Sequence, residues 1–213
     1  FIRLGWKGLS NKEYFMRWGE RLGLTQNRPS NDKSLIWIHA VSVGEVNASI
    51  SLIRSLINSY PQSEILVTTS TPTGSKLLLE RLGNKIKHQY LPVDIPFFIN
   101  LFLDTWRPRC LILLETEIWP NIIHACKKRK IYTALVNARL SEKSKDNYLK
   151  YSSVIKPSID KLDLILAQFE SDKKRFNEIS TQIKVDLCGN LKFDQDIPYE
   201  LEEISKTIRQ DWS

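Results

Sequence analysis

Short apolar runs recur through residues 35–187, and a polar turn or a stretch of helical periodicity separates each from the next. Leu35-Ile36-Trp37-Ile38, ending at His39, reads as a buried parallel strand, because a strand covered on both faces shows no polar alternation. Ile65 to Thr69, Ile86 to Leu91, Cys110 to Leu114, Ile131 to Val136, Leu162 to Leu166 and Ile183 to Leu187 are further strand candidates. After the first of them, Val46, Ile50, Ile53, Ile57 and Tyr60 fall on one helical face. Thr71 is placed to cap a helix that begins at Pro72 and ends at Gly83. Pro96 opens an apolar helix reaching Trp106. Pro120 opens another, which ends in Lys127-Lys128-Arg129-Lys130, cations where the helix dipole favours them. About seven strands with helices between them predict an α/β fold, an open parallel sheet with helices on both faces. Cys110–Leu114 is the most apolar strand, and a central place is expected for it.

The chain has 213 residues, of which 42% are apolar, enough to bury the core of one large domain. Three zones are expected. Residues 29–194 form the domain, and residues 195–213 form a linker and helix leaving it. Residues 1–28 interleave Phe1, Trp6, Tyr14, Phe15 and Trp18 with Arg3, Lys7, Lys12, Arg17, Arg21 and Arg28. Rings at headgroup depth and cations on anionic lipid suit a membrane-proximal amphipathic segment; a helix packed on the domain is the plainer alternative. A net charge of +7 suits an anionic partner without choosing among nucleic acid, anionic membrane and a phosphorylated substrate. Cys110, Cys126 and Cys188 are scattered, no CxxC pair occurs, and only three histidines are present. Neither a disulfide framework nor a metal centre is expected, no cofactor is implied, and a reducing compartment is the natural reading. No apolar run reaches the ~18 residues a membrane-spanning helix requires. The sequence opens at Phe1 without Met and stops at Ser213, so an anchoring segment upstream of residue 1 is an open expectation.

In open α/β sheets ligands bind beyond the carboxyl ends of the strands, so the residues just after each strand are the candidate site. After the first strand, Ser42 and Gly44 allow a tight turn into a helix, and Glu45 stands at that helix start. The dipole there favours an ionised carboxylate, which beside a sugar hydroxyl acts as a general base; a carboxylate that only stabilises the helix is the alternative. After the second strand, Thr71, Thr73 and Gly74 bring hydroxyls and amides to a helix N-terminus, fit for a sugar or anion, or for no more than a capped turn. Glu115 and Glu117 follow the most apolar strand, and at alternate positions of an extended chain they share a face. Asn137 and Arg139 follow the next strand, the guanidinium suited to phosphate or carboxylate, or to an ion pair with one of the glutamates. GxGxxG after the first strand, GxxxxGK[ST] and GxSxG are all absent, which disfavours a dinucleotide site there, a P-loop enzyme and an α/β-hydrolase. No nucleic-acid-reading motif occurs, and no nucleic-acid partner is expected.

Taken in order, these segments resemble one family. Trp37-Ile38-His39-Ala40-Val41-Ser42-Val43-Gly44-Glu45 resembles the W(I/V)HA(V/A)SVGE signature of bacterial 3-deoxy-D-manno-octulosonic acid (Kdo) transferases. Thr68–Ser75 is similar to that family's TTxTPTGS, Tyr90–Pro96 to its YLPxDxP, and Glu115–Asn121 to its ETExWPN. Asn137–Ser141, Gly189–Asp194 and Arg17–Gly23 extend the match. The resemblance implies the N-terminal Rossmann-like half of a GT-B glycosyltransferase. It implies a CMP-Kdo donor, a phosphorylated and acylated lipid A precursor as acceptor, inversion at the anomeric carbon, and Glu45 as general base with Glu115 in the site. It also implies attachment to the cytoplasmic face of the anionic inner membrane. The second Rossmann-like domain would carry most of the nucleotide site, so residues 1–213 alone are expected not to turn over. Two rivals share parts of the pattern: a GT-B enzyme with another lipid or sugar acceptor, and a basic, non-catalytic α/β module binding membrane or nucleic acid.

Overall fold

The computed structural model describes residues 16–25 and 33–194. Seven strands form a single sheet: β1 (Ser34–His39), β2 (Ser63–Thr69), β3 (Lys87–Tyr90), β4 (Cys110–Leu114), β5 (Tyr132–Ala138), β6 (Leu164–Ala167) and β7 (Val185–Leu187). Every pairing is parallel and the order is β3-β2-β1-β4-β5-β6-β7. The most apolar run, β4, is the central strand. The order reverses between β1 and β4, and there the loops leaving the two strands part to opposite sides and open a crevice.

The helices are α1 (Trp18–Arg21), α2 (Val43–Ser59), α3 (Pro72–Leu82), α4 (Pro96–Trp106), α5 (Pro120–Lys128), α6 (Glu142–Lys150), α7 (Ser152–Ile159) and α8 (Glu170–Ile179). They cover both faces. Leu35, Trp37, Leu111, Leu113 and Leu135 point to one face and pack under Phe102, Trp106, Ile122 and Phe176 from α4, α5 and α8. The alternate residues Ile36, Ile38, Val67 and Val136 point to the other and meet Val46, Ile50, Ile53 and Leu78 from α2 and α3. Burial on both faces is why the central strands β1 and β4 carry no polar alternation. Trp37 is fully buried, stacks at 4.7 Å on Phe102, and donates its indole N–H to Thr68 Oγ1 at 2.8 Å.

Local signals place the helix ends. Thr71 Oγ1 accepts from the Gly74 amide at 3.1 Å, and Gly83 closes α3 with φ 51°. Asp94 caps a helix distant in sequence, accepting from the backbone amides of Ile122 at 2.9 Å and Asn121 at 3.2 Å, so it anchors the start of α5. Tyr60 departs from expectation. The helix ends at Ser59, and Tyr60, its C-cap with φ −127°, leaves the apolar face and stands 54% exposed. β6 begins at Leu164, so Leu162 lies before it, and Asp163 between them accepts from the Thr133 amide at 2.8 Å.

Residues 16–25 pack on the domain. The Tyr90 amide donates to Glu20 Oε2 at 2.8 Å, the Val93 amide to Arg21 O at 2.9 Å, and Gln89 Nε2 to Glu20 O at 3.2 Å. The guanidinium carbons of Arg17 and Arg21 lie 4.6 and 4.2 Å from the centre of the Tyr90 ring. Two of the cations in the basic, aromatic N-terminal zone are thereby held on the protein itself. Residues 1–15 and 26–28 of that zone, and residues 195–213, lie outside the described residues.

Candidate active site

Ser42 leaves β1 in an extended conformation and caps α2, with Glu45 three residues on. This resembles a capping box, with the glutamate reaching the amide of Val41 rather than that of Ser42 itself. The Glu45 carboxylate accepts from the Val41 amide at 2.8 Å and from Ser42 Oγ at 3.1 Å, which fixes it at the helix N-terminus with only 8% of the residue exposed. The sequence predicts a carboxylate kept ionised by the dipole. In the fold the balance tips the other way: burial first, then the neighbouring Glu115 charge, raise its pKa above the ordinary carboxylate value despite the Val41 and Ser42 hydrogen bonds. Such a carboxylate is better matched to accepting a proton near neutral pH than an exposed one.

The chain turns sharply after β4. Glu115 has φ 55°, so it and Glu117 are not at alternate positions of an extended strand. The turn is closed by the Glu117 amide donating to Leu114 O at 3.2 Å. The two carboxylates still share the crevice with Glu45. Burial, then the charges of Glu45 and Glu115, push the Glu117 pKa up to about 7, and the indole N–H of Trp119, donating to Glu117 Oε2 at 2.8 Å, only partly offsets them. Glu117 is thus protonated in the folded chain at pH values where it ionises in the unfolded one. At pH 4 it is protonated in both and costs nothing. Between its ordinary value and about 7, stability falls as pH rises, and above that the penalty is complete. Glu117→Gln, a neutral isostere that still accepts from Trp119, is expected to raise stability by roughly 1–3 kcal/mol at pH 8.5 and not at pH 4, measured by thermal or urea unfolding. An equal effect at both pH values would refute the shift.

The second-strand segment spends its polar groups on the scaffold. Thr71 Oγ1 donates to Val41 O at 3.3 Å, and the Ser70 amide reaches the same carbonyl at 3.3 Å. A Cβ at Gly74 would meet Thr71 Oγ1 at 2.9 Å and the Ser42 carbonyl carbon at 3.5 Å, so glycine lets α3 approach the Ser42 turn. Thr71 and Gly74 position that turn, whereas Thr73 is exposed. Gly44 is exposed as well, with nothing closer to its Cβ position than Ser42 Oγ at 3.9 Å.

At the end of β5, Asn137 takes φ 55° and is 1% exposed. Its carbonyl accepts from Gln168 Nε2 at 3.0 Å and its Oδ1 from the Leu191 amide at 3.1 Å, while Nδ2 is buried without a partner. Arg139 is exposed and has no ion-pair partner among the described residues, so the pairing with a glutamate considered from sequence falls instead to Lys192, whose Nζ lies 3.7 Å from Glu115 Oε1. Sequence reasoning assigned no role to Lys192 or to His39. His39 ends β1, fully buried; its Nδ1 donates to Thr68 O at 3.0 Å, which leaves Nε2 as an unpartnered acceptor, and burial lowers its pKa to about 4, so the ring is neutral. A polar residue closing an otherwise apolar strand was the available signal for it. A cavity of about 860 Å³ lies elsewhere, between residues 17–25 and the α3–β3 connection, where Arg17 pairs with Glu20 and donates to His88 Nδ1.

The architecture is shared with a UDP-GlcNAc 2-epimerase from Neisseria meningitidis (TM-score 0.56, 16% identity, 84% of this chain and 52% of that one). A putative UDP-N-acetylglucosamine 2-epimerase from Listeria monocytogenes is alike to a similar degree (TM-score 0.54, 14% identity, 74% of this chain and 45% of that one). Sheet order, helices on both faces and the polar crevice at the switch point define a Rossmann-like α/β domain of the fold these proteins share. Residues 16–195 match the family described as 3-Deoxy-D-manno-octulosonic-acid transferase (kdotransferase), and the chain belongs to that family. It is 36% identical over 210 residues to a 3-deoxy-D-manno-octulosonic acid transferase of Haemophilus influenzae, covering 98% of this chain and 49% of that protein. It is 35% identical over 207 residues to one of Rickettsia bellii, covering 97% and 48%. A probable mitochondrial one of Arabidopsis thaliana is 37% identical over 169 residues, covering 79% and 36%. The chain spans about half the length of the first two relatives.

Proposed function

We propose that the full-length protein transfers Kdo from CMP-Kdo to a phosphorylated, acylated lipid A precursor, and that this chain supplies the acceptor side of the reaction and its base. The observation that carries the reading is Glu45: a buried carboxylate, fixed by two hydrogen bonds at the switch point, with its pKa raised and a crevice in front of it. Glu45 takes the proton of the acceptor hydroxyl as that oxygen attacks the anomeric carbon of Kdo. The bond from that carbon to the CMP phosphate breaks, its electron pair leaves with CMP, and the configuration inverts. Glu115 and Glu117 help set the charge around the base, and the exposed Arg139, without an ion-pair partner among the described residues, suits a phosphate of the acceptor. The second domain supplies most of the nucleotide site. Exposed Leu24, Ile95 and Phe97, the last 71% exposed, present apolar surface next to residues 16–25 and support attachment at the cytoplasmic face of the inner membrane.

Acceptor class is tested by CMP release from CMP-Kdo by the full-length enzyme. Release is expected only with an acceptor that is both phosphorylated and acylated. Equal release with an unphosphorylated soluble sugar would move the reading to another GT-B acceptor. The open space at Gly44 gives a second test. Gly44→Ala is expected to leave stability unchanged or raise it by up to ~1 kcal/mol, because alanine suits a helix better, yet to lower kcat/KM, because the methyl stands where substrate meets the backbone. Full activity in that variant would take Gly44 out of the substrate contacts.

A further inference from the structure

Glu45 and Glu115, after β1 and β4, face a cation that comes from far along the chain. After β7, Gly189 takes φ 75° and turns the chain back across the carboxyl ends of the strands. The short 3₁₀ turn Leu191–Asp194 follows. The Leu191 amide ties this segment to the domain by donating to Asn137 Oδ1 at 3.1 Å, and within the segment the Lys192 amide donates to Asn190 Oδ1 at 3.0 Å. Asn137 is itself rigid, buried and gripped through its carbonyl by Gln168. The result is Lys192 Nζ 3.7 Å from Glu115 Oε1, with the lysine side chain 47% exposed.

We propose that Lys192 is a positioning residue for the base: presented over the crevice by the Asn137 latch, its ammonium neutralises Glu115 and keeps Glu45 able to accept a proton. The groups around Glu45 account for this. Glu115 acts on it as a like charge, and the Glu45 charge in turn raises the pKa of Glu117. The phenol of Tyr148, from α6, faces Glu117 and is itself held protonated by burial and that carboxylate. His39, from β1, is neutral. Among the described residues Lys192 is the cation that acts on Glu45, in the direction of the ionised form. A lone lysine at 3.7 Å from a part-exposed carboxylate contributes little to stability, so its effect is felt through the charge balance of the crevice. The inference rests on the reading of Glu45 as the base.

The test is the pH dependence of kcat/KM in the full-length enzyme, for the wild type, Lys192→Met, Lys192→Arg and Glu45→Gln, between pH 5.5 and 9. Removing the cation disfavours ionised Glu45, so the acid limb moves to higher pH. Lys192→Met is expected to lose ~5-fold or more at pH 6 and less than ~2-fold at pH 8.5, and Lys192→Arg to restore the wild-type limb. A loss of the same factor at every pH, which a substrate contact or a packing defect would give, overturns the proposal, as does an unmoved limb while Glu45→Gln is inactive. Glu45→Gln retaining wild-type activity would overturn the base assignment and this inference with it, and the two failures are told apart by that variant.

Discussion

Glu45→Gln in the full-length enzyme is expected to lower turnover by ~100-fold or more while leaving the fold intact. Glutamine keeps one oxygen to accept from the Val41 amide, and its NH2, in place of the other oxygen, donates to Ser42 Oγ instead of accepting from it, so the turn at α2 survives, but the amide cannot take a proton. The choice of variant matters. Glu45→Ala also removes both hydrogen bonds from the helix start, at a cost of about 1 kcal/mol, and would mix a capping defect with a chemical one. Thermal unfolding of Glu45→Gln should therefore match wild type within ~1 kcal/mol, whereas kcat should collapse. Unfolding together with activity would return Glu45 to a purely structural role. Normal activity would remove it from the mechanism.

Gly23→Ala is expected to destabilise the protein by ~2–4 kcal/mol, a large effect for one methyl group. Gly23 has φ 79°, which alanine adopts only with strain, and its added Cβ would lie 2.4 Å from the Phe98 carbonyl oxygen. Backbone on both sides leaves no flexible side chain to give way. The strain is relieved by lifting residues 17–24 off the sheet edge, which strips the Tyr90 amide of Glu20 and the Val93 amide of Arg21 O. The loss is read as a lower unfolding midpoint with faster proteolysis between residues 16 and 25. A variant as stable as wild type would mean that this contact is not made in solution.

The middle of the sheet could be read from sequence because β1 and β4 are buried on both faces and announce themselves as bare apolar runs, whereas the edge strand β3, Lys87-His88-Gln89-Tyr90, is polar. Thr71-Pro72 and Gly83 marked both ends of α3 because capping is local chemistry. The helices α6, α7 and α8 carried no individual expectation. α6 buries none of its residues, so no apolar stripe marks it, and α7 carries Pro157 inside. Glu45 could be found because its neighbours in sequence, Val41 and Ser42, are also its neighbours in space. Its raised pKa could not, since the burial and the Glu115 charge behind it come from the packing of β4 against β1. The same holds for Lys192, far along the chain from Glu115 and brought to it by the turn at Gly189 and the side chain of Asn137. The positive φ of Glu115 and Asn137 is likewise invisible in residues that do not advertise it as glycine does.

The most direct measurement of the central claim is a transfer assay followed by mass. Full-length protein in detergent is given CMP-Kdo and a tetra-acylated lipid A precursor, and the lipid product is weighed by mass spectrometry. The account predicts a gain of one or more Kdo units, absent in the Glu45→Gln variant. No gain from a folded full-length sample would contradict it and would direct the same crevice to a different acceptor.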